Sequence, residues 1–117
     1  RIYGMKFSKF MLLPQNWFFK RCKDTIEIYA ILYPNKKFFI SSYDEAIKKL
    51  VTVLNEKKSL ADHYMDMAND AENEDELYQS INSCISTLEW MAQFEKFGVF
   101  TDGPLPSDCI KTIKEGM

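Results

Sequence analysis

The sequence predicts a mainly α fold, a compact bundle of four to five helices, and three observations carry that expectation. Apolar residues recur at three-and-four spacing over most of the chain after Ser41, the stretches open on side chains suited to capping a helix, and glycine and proline fall between the stretches. At 117 residues, with 46% apolar and 27% charged residues interleaved, the chain has the size and make-up of one globular domain covering 1–117. Met5 is expected to be the native start, with Arg1–Gly4 a cloning remnant left out of the fold reading.

Over residues 16–33, Asn16, Lys20, Lys23, Asp24 and Glu27 fall on one helical stripe, and Lys20 with Asp24 and Lys23 with Glu27 stand four apart, as stabilising helix pairs do. Residues 25–33 are also rich in β-formers, and Pro34-Asn35 followed by Phe38-Phe39-Ile40 has the composition of a turn and its return strand. The charge pattern extends over four turns and the strand pattern only over the second half. A helix is therefore expected, with a short N-terminal β-hairpin, and so an α+β fold, as the alternative.

The next helix is signed most clearly. Tyr43, Ile47, Leu50, Val51 and Leu54 mark one face of a helix running to about Lys57. Ser42 and Glu45 have the spacing of a capping box, and Asp44 with Lys48 and Glu45 with Lys49 add pairs in the favourable order. Ser59 and Asp62 repeat the capping spacing, which predicts a separate helix whose apolar side is Ala61, Tyr64, Met65, Ala68 and Ala71.

Asn73 and Glu76 open a longer helix, expected from about Asp75 to Phe97. Its stripe of Leu77, Ile81, Cys84, Ile85, Leu88, Met91 and Ala92 is widened by Trp90, Phe94 and Phe97, which places it at the centre of the bundle. Gly98 supplies a left-handed stop, with Val99 positioned to pack back on the last turn. Asp102-Gly103-Pro104-Leu105-Pro106 reads as a loop, and Ser107 as the cap of a short final helix through Lys114 that docks marginally through Ile110 and Ile113.

Composition limits function before any motif does. No apolar run approaches the roughly 18 residues of a membrane helix, and the four-residue run Phe10–Leu13 ahead of Pro14 is too short for a signal peptide, so a cytoplasmic protein away from membranes is expected. Cys22, Cys84 and Cys109 have no zinc-type spacing and read as reduced thiols. Lysine outnumbers arginine thirteen to two and alanine is sparse, a bias of AT-rich genomes that suits a bacteriophage or a low-GC bacterium.

Charge is divided unevenly. Residues 1–58 carry twelve Lys or Arg against five Asp or Glu, a balance of +7, and residues 59–117 carry three against twelve, a balance of −9. Asp62, Asp66, Asp70, Glu72, Glu74, Asp75 and Glu76 follow one another without an intervening lysine or arginine. A solvated face or pairing with the basic half is the ordinary explanation of such a row; a surface complementary to a basic partner is the functional one. The basic half sets Lys20-Arg21, Lys36-Lys37, Lys48-Lys49 and Lys57-Lys58 beside Phe18, Phe19, Phe38 and Phe39, a pattern that can hold a nucleic-acid strand, although the pI of about 5.4 opposes it.

His63, the only histidine, lies beside the acidic stripe and reads as an exposed bystander. The four glycines are scattered and form no phosphate loop. Two tryptophans, six methionines and fifteen Phe or Tyr exceed what one core of this size buries, so part of the surplus is expected at the surface as a contact patch. The sequence thus predicts a non-enzymatic protein–protein interaction module, of the kind a phage encodes as a small regulator or inhibitor of a host protein. Its expected contact residues are Asp62, Asp66, Asp70, Tyr64, Met65, Met67 and Trp90, and its partner a protein with a basic surface or a second copy, with no cofactor and no metal. A nucleic-acid-binding accessory protein using the basic half is the first alternative, and a metal-dependent nucleotide hydrolase using Asp62, Asp66 and Glu76 the second.

Overall fold

A computed structural model describes residues 11–12, 22–39, 42–102 and 104–116. Their order is β1 (Met11–Leu12), α1 (Cys22–Leu32), α2 (Ser42–Asn69), α3 (Glu74–Ala92), a 3-10 turn (Glu95–Phe97), β2 (Phe100–Asp102) and α4 (Pro106–Glu115). The fold is mainly α, with four helices packed together. β1 and β2 form a minimal antiparallel ladder in which Leu12 faces Phe100.

The stretch whose composition allowed either helix or strand is helical from Cys22 to Leu32, and residues 16–21 of the expected helix lie outside the described residues. Phe38 forms no return strand, and Ile40 lies outside the described residues. Its ring stands edge-on to Tyr29 at 5.3 Å and meets Tyr43 at 5.1 Å, while Tyr29 also meets Tyr33 at 4.8 Å. This aromatic cluster ties the 33–39 connection to both α1 and α2, and such ring pairs contribute about 0.5–1.5 kcal/mol each beyond their burial.

The two helices expected over 42–71 are a single helix of 28 residues. The correction has a simple cause: no glycine or proline interrupts 55–60, and the core stripe Ile47, Leu50, Leu54, Ala61, Met65, Ala68 keeps its phase straight through Ser59, which is exposed. The first-turn box is also not closed as expected. Ser42 is itself the first helical residue, and the Glu45 carboxylate turns instead to Lys36, 4.0 Å away, and to the Tyr33 hydroxyl. Asp44 and Lys48 do pair, at 2.9 Å.

At the head of α3 the expected cap is present. The Asn73 side chain accepts from the Glu76 N–H at 2.9 Å, and the Glu76 carboxylate accepts from the Glu72 N–H at 3.0 Å. The helix ends at Ala92, earlier than expected, and Phe94 and Phe97 reach the core from the turn and 3-10 segment that follow. Gly98 stops that segment at φ 71°, ψ 28°, a conformation that costs a side-chain-bearing residue energy, and Val99 is buried behind it.

Docking of α4 is close rather than marginal, since Pro106, Cys109 and Ile113 are all buried against the same core as α3. Ser107 is not its cap. The helix starts two residues earlier than that cap implies, with Leu105 as the cap and Pro106 where a missing N–H is harmless, and Ser107 donates from its N–H (2.9 Å) and hydroxyl (2.8 Å) to the Glu95 carboxylate. A side chain twelve positions back therefore satisfies Ser107, while Asp108 accepts from the Leu105 N–H at 3.2 Å.

One core cluster joins Ile28 of α1, the inner stripe of α2, Ile81, Cys84, Ile85, Leu88 and Met91 of α3, and Cys109 and Ile113 of α4. The α2–α3 hairpin is its frame, with α1 laid on α2 and α4 on α3. At 1.5 Å per residue α2 is about 42 Å long, which accounts for most of the 51 Å length of the molecule.

Candidate functional site

The continuity of α2 creates the site. Beside its core stripe the helix carries a second one, Val53, Lys57, Leu60, Tyr64, Met67 and, just past its end, Ala71, again at alternating four-and-three spacing. These residues are half-buried, apart from Met67, which is 45% exposed. Across from them α3 presents Ser80, Ser83 and Ser86, whose short side chains leave a depression between the helices.

Two open cavities follow that depression end to end. One, of about 510 Å³, lies between Lys57, Leu60 and Tyr64 on α2 and Ser86 and Trp90 on α3. The other, of about 640 Å³, continues past Tyr64 and Ser83 to Met67, Asp66, Asp70 and Glu76. Tyr64 and Ser83 line both, so the result is one groove along the outer face of the hairpin.

Charge differs between its ends. At the closed end of the hairpin, Asp66 and Asp70 leave α2, Glu72 occupies the connection, and Glu74, Asp75 and Glu76 form the first turn of α3. The last three face the positive end of a helix dipole and are stabilised there; Asp66 and Asp70 sit at the negative end of α2, which has no basic residue in its last turn, and are not. At the other end Lys57 stands over the Trp90 ring, 5.3 Å from its centroid, and Trp90 is edge-on to Phe94 at 5.1 Å.

Of the expected contact residues, the structure brings Tyr64, Met67, Asp66, Asp70 and Trp90 to this groove. Met65 belongs to the core instead, with no exposed surface, because its position continues the inner stripe from Leu54 and Ala61. Asp62 is half-exposed and outside the groove lining. His63 is exposed at the groove's edge, its ring 6.0 Å from that of Tyr64. Leu60, Ser83 and Ser86 were not singled out from sequence, and Lys57 only as one of the lysine pairs of the nucleic-acid reading. The signal for Leu60 and Lys57 was the second stripe of α2, which is visible only when 42–69 is read as one helix.

The residues named for the alternative chemistries are placed differently. Among the described residues no group of three or more His, Cys, Asp and Glu side chains is close enough to hold a metal ion. Among the described residues Lys48 pairs with Asp44, Lys36 lies between Glu45 and the Tyr33 ring, and Phe38 is spent within the aromatic cluster. Phe39 is 62% exposed, and Phe18, Phe19, Lys20 and Arg21 lie outside the described residues.

Cys84 of α3 and Cys109 of α4 are free thiols buried in the same core cluster. Burial pushes Cys84 up to about 12, with smaller contributions from Cys109 and Asp62. Burial also pushes Cys109 up to about 11, helped by Asp108 and Glu95. The Cys84 thiol donates to the Ala61 carbonyl at 3.6 Å. Thiols held protonated in this way are core side chains rather than nucleophiles.

Among the described residues no helix is long and apolar enough to cross a membrane. Comparison with protein-family models, with curated protein sequences and with solved structures finds no match to this chain.

Proposed function

We propose that the protein is a non-enzymatic interaction module that seats a helical protein surface in the groove between α2 and α3. The reading rests on one observation: an apolar, half-exposed stripe of heptad spacing runs beside small side chains and ends among carboxylates. Regular spacing of Leu60, Tyr64 and Met67 suits an apolar helix face, since helices recognise grooves through residues three and four apart. Gaps at Ser83 and Ser86 accept the ridges of such a helix. Carboxylates at the tip favour a partner that brings basic groups to that end and speed its approach. A module of this kind acts as a regulator or inhibitor by occupying a surface of its partner.

Site-specific photo-crosslinking in the native cell tests the reading. A benzophenone side chain at Met67, in the groove, should yield one discrete adduct whose crosslinked peptide is helical and basic; the same group at Lys111, on the exposed side of α4, should not. Equal or diffuse labelling from both positions overturns the proposal.

A further inference from the structure

We infer, resting on the docking reading above, that the occupant of the groove is a helix of another protein with its basic residues confined to one end. Lysine or arginine fills the turn that lies among Asp66, Asp70 and Glu76, and none stands in the turns along Leu60 and Trp90. The groove itself is unequal in this way. The acidic and basic residues that line it are Lys57 in one cavity and His63, Asp66, Asp70 and Glu76 in the other. Glu56, Lys58, Asp62 and Glu89 are near in sequence and line neither cavity.

At the acidic end the carboxylates enter from both walls, Asp66 and Asp70 from the α2 side and Glu76 from the first turn of α3. A helix laid over Tyr64 and Met67 takes water from these carboxylates, and an apolar or acidic turn there would leave them without compensation. A cationic side chain between the walls supplies it, and complementary charge of this kind fixes register. The other end reverses the demand. Lys57 is half-buried and already stands over the Trp90 ring, so a second cation brought there meets like charge in a contact that excludes water. From Lys57 to Asp70 the lining spans about 20 Å, the length of a helix of about four turns. Leu60, Tyr64 and Met67 receive apolar side chains three and four apart, and the cation follows one turn beyond the side chain that meets Met67, as Asp70 follows Met67. A second copy of α2 does not carry this pattern, because antiparallel pairing about Tyr64 sets Lys57 against Ala71 and Asp62 against Asp66.

Synthetic helices of a single composition and net charge test the pattern, each with leucine anchors three and four apart over about four turns. Their lysines fill the first turn, fill the last turn, or are spread evenly along the polar face. By fluorescence anisotropy, one of the end-charged helices should bind the chain at least about tenfold more tightly than the evenly charged isomer. Replacing Asp66→Asn and Asp70→Asn together should abolish that preference, and both residues are exposed, so circular dichroism should show the helices retained. Lys57→Glu should bring the evenly charged isomer up toward the end-charged one. Equal affinity for all the isomers, no binding by any, or a preference that survives the paired Asp→Asn change overturns the inference and leaves the groove reading to the Met67 crosslink. A Met67 adduct in the cell with a second copy of the chain also overturns it, while keeping the groove.

Discussion

At the scale of single residues, burial decides roles that side-chain type leaves open. Met65 and Met67 are two positions apart with the same side chain, yet the first has no exposed surface and the second is 45% exposed. Cys84 and Cys109 show the same control over chemistry. A thiol raised above its free value of 9.0 in the folded state stays protonated where the unfolded chain ionises, so its contribution to stability is complete below pH 9 and is lost as pH rises toward about 12 for Cys84 and about 11 for Cys109. We expect urea melts to show stability falling between pH 9 and 11, with a shallower fall in Cys84→Ala than in the wild type. An equal slope in both would remove this linkage. Native-state alkylation of both thiols should be slow for the same reason, and fast once the chain is unfolded.

At the scale of elements, a capping signal works only where the chain leaves the helix. Ser59-x-x-Asp62 and Asn73-x-x-Glu76 have the same spacing, but the first lies inside a helix whose backbone donors are already satisfied, and the second follows a turn. Opposite outcomes follow from one kind of substitution. Ser59→Ala should leave stability unchanged or raise it by up to about 0.5 kcal/mol, as alanine is the better interior helix former. Asn73→Ala should cost about 1 kcal/mol, as the Glu76 N–H loses its acceptor. Chemical denaturation of the two variants measures both, and a loss in Ser59→Ala equal to that in Asn73→Ala would restore the two-helix reading. The head of α4 carries a related lesson: Asp108 accepts locally from the Leu105 N–H, but the Ser107 donors are met by Glu95, and no local spacing announces a carboxylate twelve residues away.

At the scale of the whole molecule, the charge division in the sequence becomes a division along the long axis. Because α2 is unbroken, it carries its acidic end away from Lys36, Lys37, Lys48 and Lys49, and the tip of the hairpin keeps its negative field. Internal pairing with those lysines is therefore not what sustains the tip. Asp70→Asn should leave the melting temperature unchanged or raise it, through relief of like-charge repulsion and of the opposing helix dipole. The same change should slow association at the groove and flatten its dependence on salt, read by stopped-flow mixing at two ionic strengths. A destabilised variant with unchanged association would show that Asp70 serves the fold and not contact.

The mainly α class, the α3 cap at Asn73, the Gly98 stop and the stripe Ile81, Cys84, Ile85, Leu88, Met91 were all legible in the sequence, because each depends on residues within one or two turns of one another. Tyr64, Met67 and Trp90 were named from the sequence and line the groove, but Leu60, Ser83 and Ser86, which complete its lining, were not. Only the tertiary structure decided that 42–69 is one helix, that Met65 of its apolar side is core and not contact surface, that Phe38 joins Tyr29 and Tyr43, and that Glu95 accepts from Ser107 of α4. The physical reason is common to all four. Local spacing states which partners a residue can accept, and packing of distant segments, worth about 1.5–3 kcal/mol for each large apolar side chain it covers, selects among them.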